Sequence, residues 1–205
     1  DMVLELPEKG EFKTDFLEDT SSISIRKGDF LSEAALEAET ERASRLMRSK
    51  GYYTFNKNHF FFEADTLSYP GSAILKLTIN EYTRNELARD AKPIRKFFIN
   101  DVKISYPNEK VLRNINLIKP GEIYNEEVIN NTYSRFSALK MFSSVNVGMT
   151  QVDTNLVDCE ISLSQSKTQG FKVNLEASTN SSGLLGVSPQ LSYYHKNVFR
   201  GGEWL

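Results

Sequence analysis

The sequence GDFLSEAALEAETERASRL at residues 28–46 returns as GEIYNEEVINNTYSRFSAL at residues 121–139, with a constant offset of 93. Each copy has a glycine, then Ser or Asn, then an acidic first turn and apolar residues at helical spacing. Ser and Asn satisfy free N–H groups at a helix start, and acidic residues suit that end of the helix dipole. The repeat therefore predicts two modules, each built around one long helix. The matched pairs are Gly28 and Gly121, Asp29 and Glu122, Phe30 and Ile123, Ser32 and Asn125, Glu33 and Glu126, Leu36 and Ile129, and Leu46 and Leu139.

The segments around each long helix predict the order β-α-α-β-β in both modules. In the first we expect strands at residues 3–6, 59–65 and 73–82, a short helix at 15–21 and a long helix from Glu33 that ends before Gly51. In the second we expect strands at residues 97–106, 145–152 and 156–164 and helices at 109–117 and 126–142. The charge run on the first long helix predicts a solvated face. Its members are Glu33, Glu37, Glu39, Glu41, Arg42, Arg45, Arg48 and Lys50.

The C-terminal segment shows the two-residue alternation of amphipathic strands. Apolar and polar residues alternate over residues 171–178 and again over 187–194, with a turn-prone stretch at 179–183 between them. We expect a hairpin with one face suited to lipid and the other to water. Because a membrane barrel needs at least about eight strands, the pattern predicts that further strands follow Leu205.

Composition indicates a globular module rather than a nucleic-acid binder. The chain has 40% hydrophobic and 25% charged residues and a net charge of -2. These are ordinary globular values, and no basic excess points to a nucleic-acid partner. No window approaches the ~20 apolar residues of a transmembrane helix.

Residue types for catalysis are sparse, and we expect no enzymatic activity, no cofactor and no metal site. The two histidines, His59 and His195, fall in different modules at strand ends, where we expect surface residues. Cys159 alternates with Val157 and Ile161, which predicts a buried small hydrophobe rather than a nucleophile. We expect Tyr52 in the core and Tyr53 at its rim.

Two sets of residues carry a resemblance to a known family. The first is the closing pattern Asn197, Phe199, Arg200, Gly201, Gly202 and Glu203, and the second is the spacing Ile129, Thr132, Phe136, Leu139, Phe142 and Val145. The closing pattern resembles the end of the second barrel strand in the BamA/TamA superfamily of outer-membrane assembly and translocation proteins. The spacing, in its β-α-α-β-β order, resembles the polypeptide-transport-associated (POTRA) domain of the same superfamily.

The resemblance implies an α+β fold class with two tandem POTRA-like β-α-α-β-β domains, followed by the first strands of a truncated transmembrane β-barrel. The implied boundaries are a POTRA-like domain at residues 1–83, a linker at 84–95, a second POTRA-like domain at 96–167 and the first barrel hairpin at 168–205. It also implies an outer-membrane protein of a Gram-negative bacterium, with residues 1–167 in the periplasm.

The implied function is reception of unfolded polypeptides by β-strand addition, which assists their insertion or translocation. An exposed sheet edge offers backbone donors and acceptors to any extended chain. The resemblance makes the second strand of each module the substrate-binding edge, formed by Phe60, Phe61, Phe62 and Glu63 in the first and by Val145, Asn146, Val147 and Gly148 in the second.

The implied partners are unfolded outer-membrane or secreted polypeptides, periplasmic or outer-membrane accessory proteins, and the lipid bilayer through the rest of the barrel. Three alternatives remain open at the level of sequence. One is a specialised translocator of a single secreted protein or a lipid. Another is a module that tethers a patatin-like hydrolase to the membrane, which an upstream Gly-x-Ser-x-Gly would favour. The third is an interaction scaffold with no barrel, which a stop codon near Leu205 would establish.

Overall fold

The computed structural model describes residues 2–7, 10–67, 72–83, 92–106, 112–139, 141–167, 169–179 and 185–195. Its α-helices are α1 (Phe12–Leu17), α2 (Glu33–Ser49) and α3 (Glu126–Ala138). Its strands are β1 (Met2–Glu5), β2 (Phe60–Asp65), β3 (Ile74–Ile79), β4 (Phe98–Ser105), β5 (Phe142–Gln151), β6 (Leu156–Gln165), β7 (Gln169–Thr179) and β8 (Leu185–His195). The mixture of helices and sheets confirms the expected α+β class. None of the helices in these described ranges is long and apolar enough to cross a membrane.

The first sheet has the strand order β1-β3-β2. β1 runs parallel to β3, with Met2 opposite Leu75, and β2 runs antiparallel to it, with Phe60 opposite Ile79. Apolar side chains from the sheet and from the two helices that precede β2 share one core. Its buried members are Phe12, Phe16, Ala43, Met47, Tyr52, Phe55, Phe60, Leu77 and Ile79.

The two long helices begin in the same way, which confirms the repeat at these positions. Gly28 has φ 92 and Gly121 has φ 82, a left-handed conformation that glycine adopts without strain. The Ser32 hydroxyl then accepts a hydrogen bond from Ala35 N–H at 3.2 Å. The Asn125 amide oxygen accepts from the N–H groups of residues 127 and 128 at 2.9 and 3.1 Å. Each cap satisfies donors that the first helical turn leaves free.

The second sheet has the strand order β4-β6-β5. Here one boundary prediction is wrong: α3 ends at Ala138, and Phe142 begins β5 instead of closing the helix. Phe142 still packs against the helix from its place on the strand, because its ring lies 6.5 Å from that of Phe136 on α3. It also lies 5.3 Å from that of Tyr106. An apolar residue at helical spacing thus packs beside the helix without belonging to it.

The shorter helices differ from their predicted bounds. The first lies earlier than expected, at α1, and a separate 3-10 turn covers Thr20–Ser22. Of the second, predicted at residues 109–117, residues 109–111 lie outside the described ranges, and residues 112 and 113 are helical.

β7 and β8 form an antiparallel ladder, with Phe171 opposite Tyr193 and Val173 opposite Leu191. These strands match the predicted hairpin at residues 171–178 and 187–194. One face of the ladder is apolar and exposed, including Phe171 at 73% and Leu191 at 73%. Whether the ladder begins a barrel stays a prediction.

The described chain divides into two compact units. The first contains the described residues of Asp1–Val102, Ile118–Asn130 and Met149–Cys159, and the second those of Lys103–Leu117, Asn131–Gly148 and Glu160–Leu205. The first unit therefore includes the start of β4 and of α3 as well as the whole first sheet. The domain boundaries that the resemblance implies stay predictions.

Candidate functional site

β2 lies at one end of the first sheet, and its side chains alternate between core and surface. Phe60 is fully buried and stacks on half-buried Phe62, with ring centroids 6.5 Å apart. Phe61 points to the other face, where its ring lies 5.6 Å from that of Tyr82. Glu63 is exposed. The side chains thus fix the strand in place while one side of its backbone faces away from β3.

One hydrogen bond at the start of β2 shows which of its backbone groups face outward. Asn80 N–H donates to His59 O at 3.1 Å, and the same register continues with Phe60 opposite Ile79. In an antiparallel ladder the bonded pairs alternate. The N–H of Glu63 therefore points toward β3, whereas those of Phe62 and Ala64 point to the outer side of the edge.

β5 lies at one end of the second sheet and carries the other predicted edge. Val145 and Val147 are half-buried and alternate with exposed Asn146. A Cβ added at Gly148 would meet Glu160 O at 3.8 Å, an ordinary contact. Residues 60–63 belong to the first compact unit and residues 145–148 to the second. The binding of substrate strands at either edge stays a prediction.

His59, expected at the surface, is buried at 6% exposure. Its ring stacks on Phe55 at 5.2 Å, and its Nδ1 lies 2.9 Å from Asn80 O. A carbonyl oxygen only accepts, so Nδ1 carries the proton and donates. The expectation was wrong because the 3-10 turn Lys57–His59 folds the ring inward just before β2 begins. His59 is thus a structural anchor for the start of the edge strand.

The other residues that the sequence analysis considered are buried, half-buried or outside the described residues. Cys159 is buried, as expected, and burial raises its pKa to about 11, which disfavours the reactive thiolate. Tyr52 is buried and Tyr53 half-buried, as expected. The side chain of His195 and the closing pattern at residues 197–203 lie outside the described residues.

Glu39 contradicts the prediction of a solvated charge run, because its side chain is only 2% exposed. It accepts from Ser24 N–H at 2.9 Å and from the Ser24 hydroxyl at 2.7 Å. Arg42 donates to both of its oxygens, at 2.6 and 3.0 Å. Burial raises the pKa of Glu39, but the bonds from Arg42 and Ser24 outweigh it and hold that pKa below its usual value. Helical spacing from Ala43 and Met47, both buried, is the signal that could have placed Glu39 inside.

A second ionic cluster, which sequence reasoning missed, joins α1 to residues before β4. Lys96 Nζ lies 2.8 Å from Asp15 Oδ2 and 2.9 Å from Glu11 Oε2. Tyr52 donates its hydroxyl to Asp15 Oδ2 at 2.6 Å. Burial raises the pKa of Asp15, yet the bonds from Lys96 and Tyr52 leave it below its usual value. The sequence holds no spacing signal for such a cluster, because Tyr52 and Lys96 are each more than thirty residues from the acidic partners that they contact.

A joint within the first unit connects the end of α2 to the turn before α3. Gly51, with φ 113, accepts from Phe97 N–H at 2.9 Å through its carbonyl. The ring of Tyr53 lies 5.0 Å from that of Tyr124. Arg48 pairs with Glu126 at 2.8 Å, with both side chains about four-fifths buried. We call these contacts the helix-end joint.

Comparison with solved structures identifies the fold. The chain matches the crystal structure of BamA from Haemophilus ducreyi lacking POTRA domains 1–3, with a TM-score of 0.65 and 13% identity, over 96% of this chain and 34% of that one. It also matches Haemophilus influenzae BamA POTRA3–5, with a TM-score of 0.56 and 12% identity, over 80% of this chain and 59% of that one. The fold is POTRA-like.

The chain thus spans about a third of the first solved chain and less than two thirds of the second. No protein-family model matches the sequence. No curated protein matches it either. Identities this low show a shared fold alone.

Proposed function

We propose that this chain is the periplasmic part of an outer-membrane protein that receives unfolded polypeptides by β-strand addition and assists their insertion or translocation. Residues 1–167 would lie in the periplasm of a Gram-negative bacterium as two tandem POTRA-like domains. Residues 168–205 would begin the membrane barrel. The POTRA-like fold supports this location, and the strand order of both sheets supports the mode of binding.

The observation that carries the proposal is that β2 and β5, the two predicted binding strands, each end the order of a three-stranded sheet. An extended chain can pair with such an edge through main-chain hydrogen bonds, which are blind to sequence. Each net bond contributes only about 1 kcal/mol, so binding would be weak and reversible. That suits a protein that holds many different unfolded substrates and passes them on.

The apolar face of the β7–β8 ladder supports the membrane part of the proposal. Phe171, Val173 and Leu175 lie on one face and are each more than half exposed. Opposite them on the same face stand Leu191 and Tyr193. In a transmembrane barrel the outward residues alternate in this way and contact lipid. The role requires no catalytic step and no cofactor, and we propose that the chain is not an enzyme.

Proline substitution at β2 tests strand addition, because proline removes one backbone donor. In Ala64→Pro the lost N–H points to the outer side, so the sheet keeps its own ladder. We expect Ala64→Pro to fold and to lose binding of a synthetic peptide with the sequence of β7, measured by chemical-shift changes in NMR spectra. Glu63→Pro, whose N–H points to β3, is the matched control and should damage the sheet itself. Unchanged peptide binding in a folded Ala64→Pro would refute addition at this edge.

Depletion of the protein in its own cell tests the scope of the role. We expect quantitative proteomics of the outer membrane to show a broad loss of unrelated barrel proteins. Loss of one secreted protein or one lipid would contradict general assembly and establish a dedicated translocator.

A further inference from the structure

Two apolar residues in the turn before α2 are more exposed than their repeat counterparts before α3. Phe30 is 92% exposed and Leu31 is 37% exposed. At the same offset, Ile123 is 48% exposed and Tyr124 only 5%. Phe30 is almost wholly in water where Ile123 is about half covered, and Leu31 is exposed where Tyr124 is buried. Such a difference between repeat counterparts indicates a surface whose partner is a separate element.

The cover on the second turn comes from the helix-end joint. A Cβ at Gly51 would lie 2.7 Å from Ile123 Cγ2, so the isoleucine methyl lies directly over the glycine. The Tyr124 ring packs against Tyr53 at 5.0 Å, and the Tyr53 hydroxyl donates to Met149 O at 3.2 Å. The end of one long helix thus receives the apolar turn that precedes the next.

The acidic residues that begin the two long helices differ in the same way. Arg48 lies three residues before Gly51 and pairs with Glu126, the first residue of α3. Glu33, the first residue of α2, is the repeat counterpart of Glu126 and is exposed. Within the described part of the chain, Glu33 has no ion-pair partner. The first turn therefore presents both the apolar and the acidic half of the same interface.

The first turn is also less tied to its own sheet than the second. Tyr124 N–H donates to Phe97 O at 2.8 Å, and Ile123 bridges to Phe98. The counterparts of residues 97 and 98 are Leu4 and Glu5, and among the described residues neither bonds to Phe30 or Leu31. In the second copy, apolar cover and hydrogen bonds to the sheet occur together, whereas the described residues of the first copy show less cover and none of the corresponding bonds to the sheet.

We propose that Phe30, Leu31 and Glu33 form a docking surface for a further copy of this module, which precedes it in the full polypeptide. The partner would offer the chemistry seen at the helix-end joint: a basic residue near the end of its long helix, a glycine three residues later and an aromatic residue two after that. This inference rests on the tandem-domain part of the proposed function and identifies the surface through which a preceding module would bind.

Hydrogen exchange on the full-length polypeptide tests the docking. We expect the amides of residues 29–34 to exchange at least about tenfold more slowly there than in the 205-residue chain. Phe30→Ser and Glu33→Lys should each remove that protection, and both side chains are exposed, so the fold should survive. Leu67→Ser, at an equally exposed leucine, is the matched control and should change nothing at residues 29–34.

Three results would overturn the proposal. The first is a coding sequence with no further module ahead of this one. The second is full protection of the turn in the 205-residue chain, rising with protein concentration, which would indicate self-association. The third is protection that arises only when vesicles of phosphatidylethanolamine and phosphatidylglycerol are added, which would indicate lipid contact. Binding of the β7 peptide should stay unchanged in Phe30→Ser, so failure of docking and failure of strand addition are separable.

Discussion

Each of the two long helices has a buried side chain that accepts a backbone hydrogen bond, but the accepting group is a carboxylate in one helix and a hydroxyl in the other. In the first unit the buried carboxylate of Glu39 accepts from Ser24 N–H at 2.9 Å. In the second unit the buried hydroxyl of Thr132 accepts from Leu117 N–H at 3.3 Å. The two acceptors are 93 residues apart, and so are the two donors, so the two bonds are repeat counterparts. Both bonds fasten a long helix to the segment that leads into its glycine turn.

The difference lies in what each acceptor requires. A buried carboxylate is costly unless its charge is compensated, and Arg42 compensates it with two bonds. A hydroxyl carries no charge and requires no such partner. The same bond is therefore part of an ion pair in one unit and neutral in the other. Only the first should respond to pH.

Glu39→Ala should have the largest effect, because it leaves Ser24 N–H without its acceptor and Arg42 without its counter-ion. Removing one member of a buried pair costs roughly 3 kcal/mol. We expect that loss in the free energy of unfolding, measured by hydrogen exchange of the α2 amides. Glu41→Ala is the matched control: that carboxylate is 56% exposed and lies 3.8 Å from Arg45. A loss of similar size in Glu41→Ala would contradict a special role for the buried pair.

The pH dependence of the first unit should depend on Glu39. A carboxylate whose folded pKa is depressed stabilises the fold above its unfolded pKa, about 4.3. That stabilisation is lost as the pH falls through the folded pKa. Relative to Glu39→Gln, the unmodified chain should therefore lose stability at α2 below about pH 4.3. Subtracting the variant removes the contribution of Asp15, whose pKa is depressed as well. A difference that does not change between pH 7 and pH 3 would contradict the ionic account.

The helix starts could be predicted from sequence because their signals are local. Gly28, Ser32, Gly121 and Asn125 act within a few residues of their positions, and the structure has them as expected. Composition misplaces Glu39, since it lies in an acidic run that is otherwise typical of a solvated face, and only its helical spacing from Ala43 and Met47 indicates the buried side. Its position is decided by Ser24, which meets it only after the chain folds back.

The strands show the same division between features that local sequence predicts and features that distant residues decide. Alternation located β5 and β6, but Phe142 fits helical spacing and strand alternation equally well, so the sequence placed it wrongly in the helix. The buried state of His59 depends on its contact with Asn80, twenty-one residues away. Local patterns thus predict which elements form, and long-range partners decide which polar side chains are buried.

Thr132→Val should have an intermediate effect confined to the second unit. Valine keeps the shape of threonine but offers no acceptor, so the partly buried Leu117 N–H loses its bond to the fully buried Thr132 side chain. An unsatisfied buried donor costs about 2 kcal/mol, and we expect that loss in hydrogen exchange of the α3 amides at any pH. Ser134→Ala, at an exposed position on the same helix, is the control. A loss that varies with pH would show that the second unit is not the neutral counterpart.

Ser24→Ala should have the smallest effect, because the backbone N–H bond to Glu39 survives and only the 2.7 Å hydroxyl bond is lost. A hydrogen bond to a charged group contributes about 1.5 kcal/mol. The hydroxyl lowers the pKa of Glu39, so its removal should raise that pKa and move the acid transition of α2 to higher pH. Leu117, the counterpart of Ser24, has no hydroxyl, and its bond to Thr132 is through the backbone alone. Ser24→Ala thus makes the first unit resemble the second on the donor side while its carboxylate stays. If this variant lost as much stability as Glu39→Ala, the serine hydroxyl and not the Arg42 pair would be what holds the carboxylate in place.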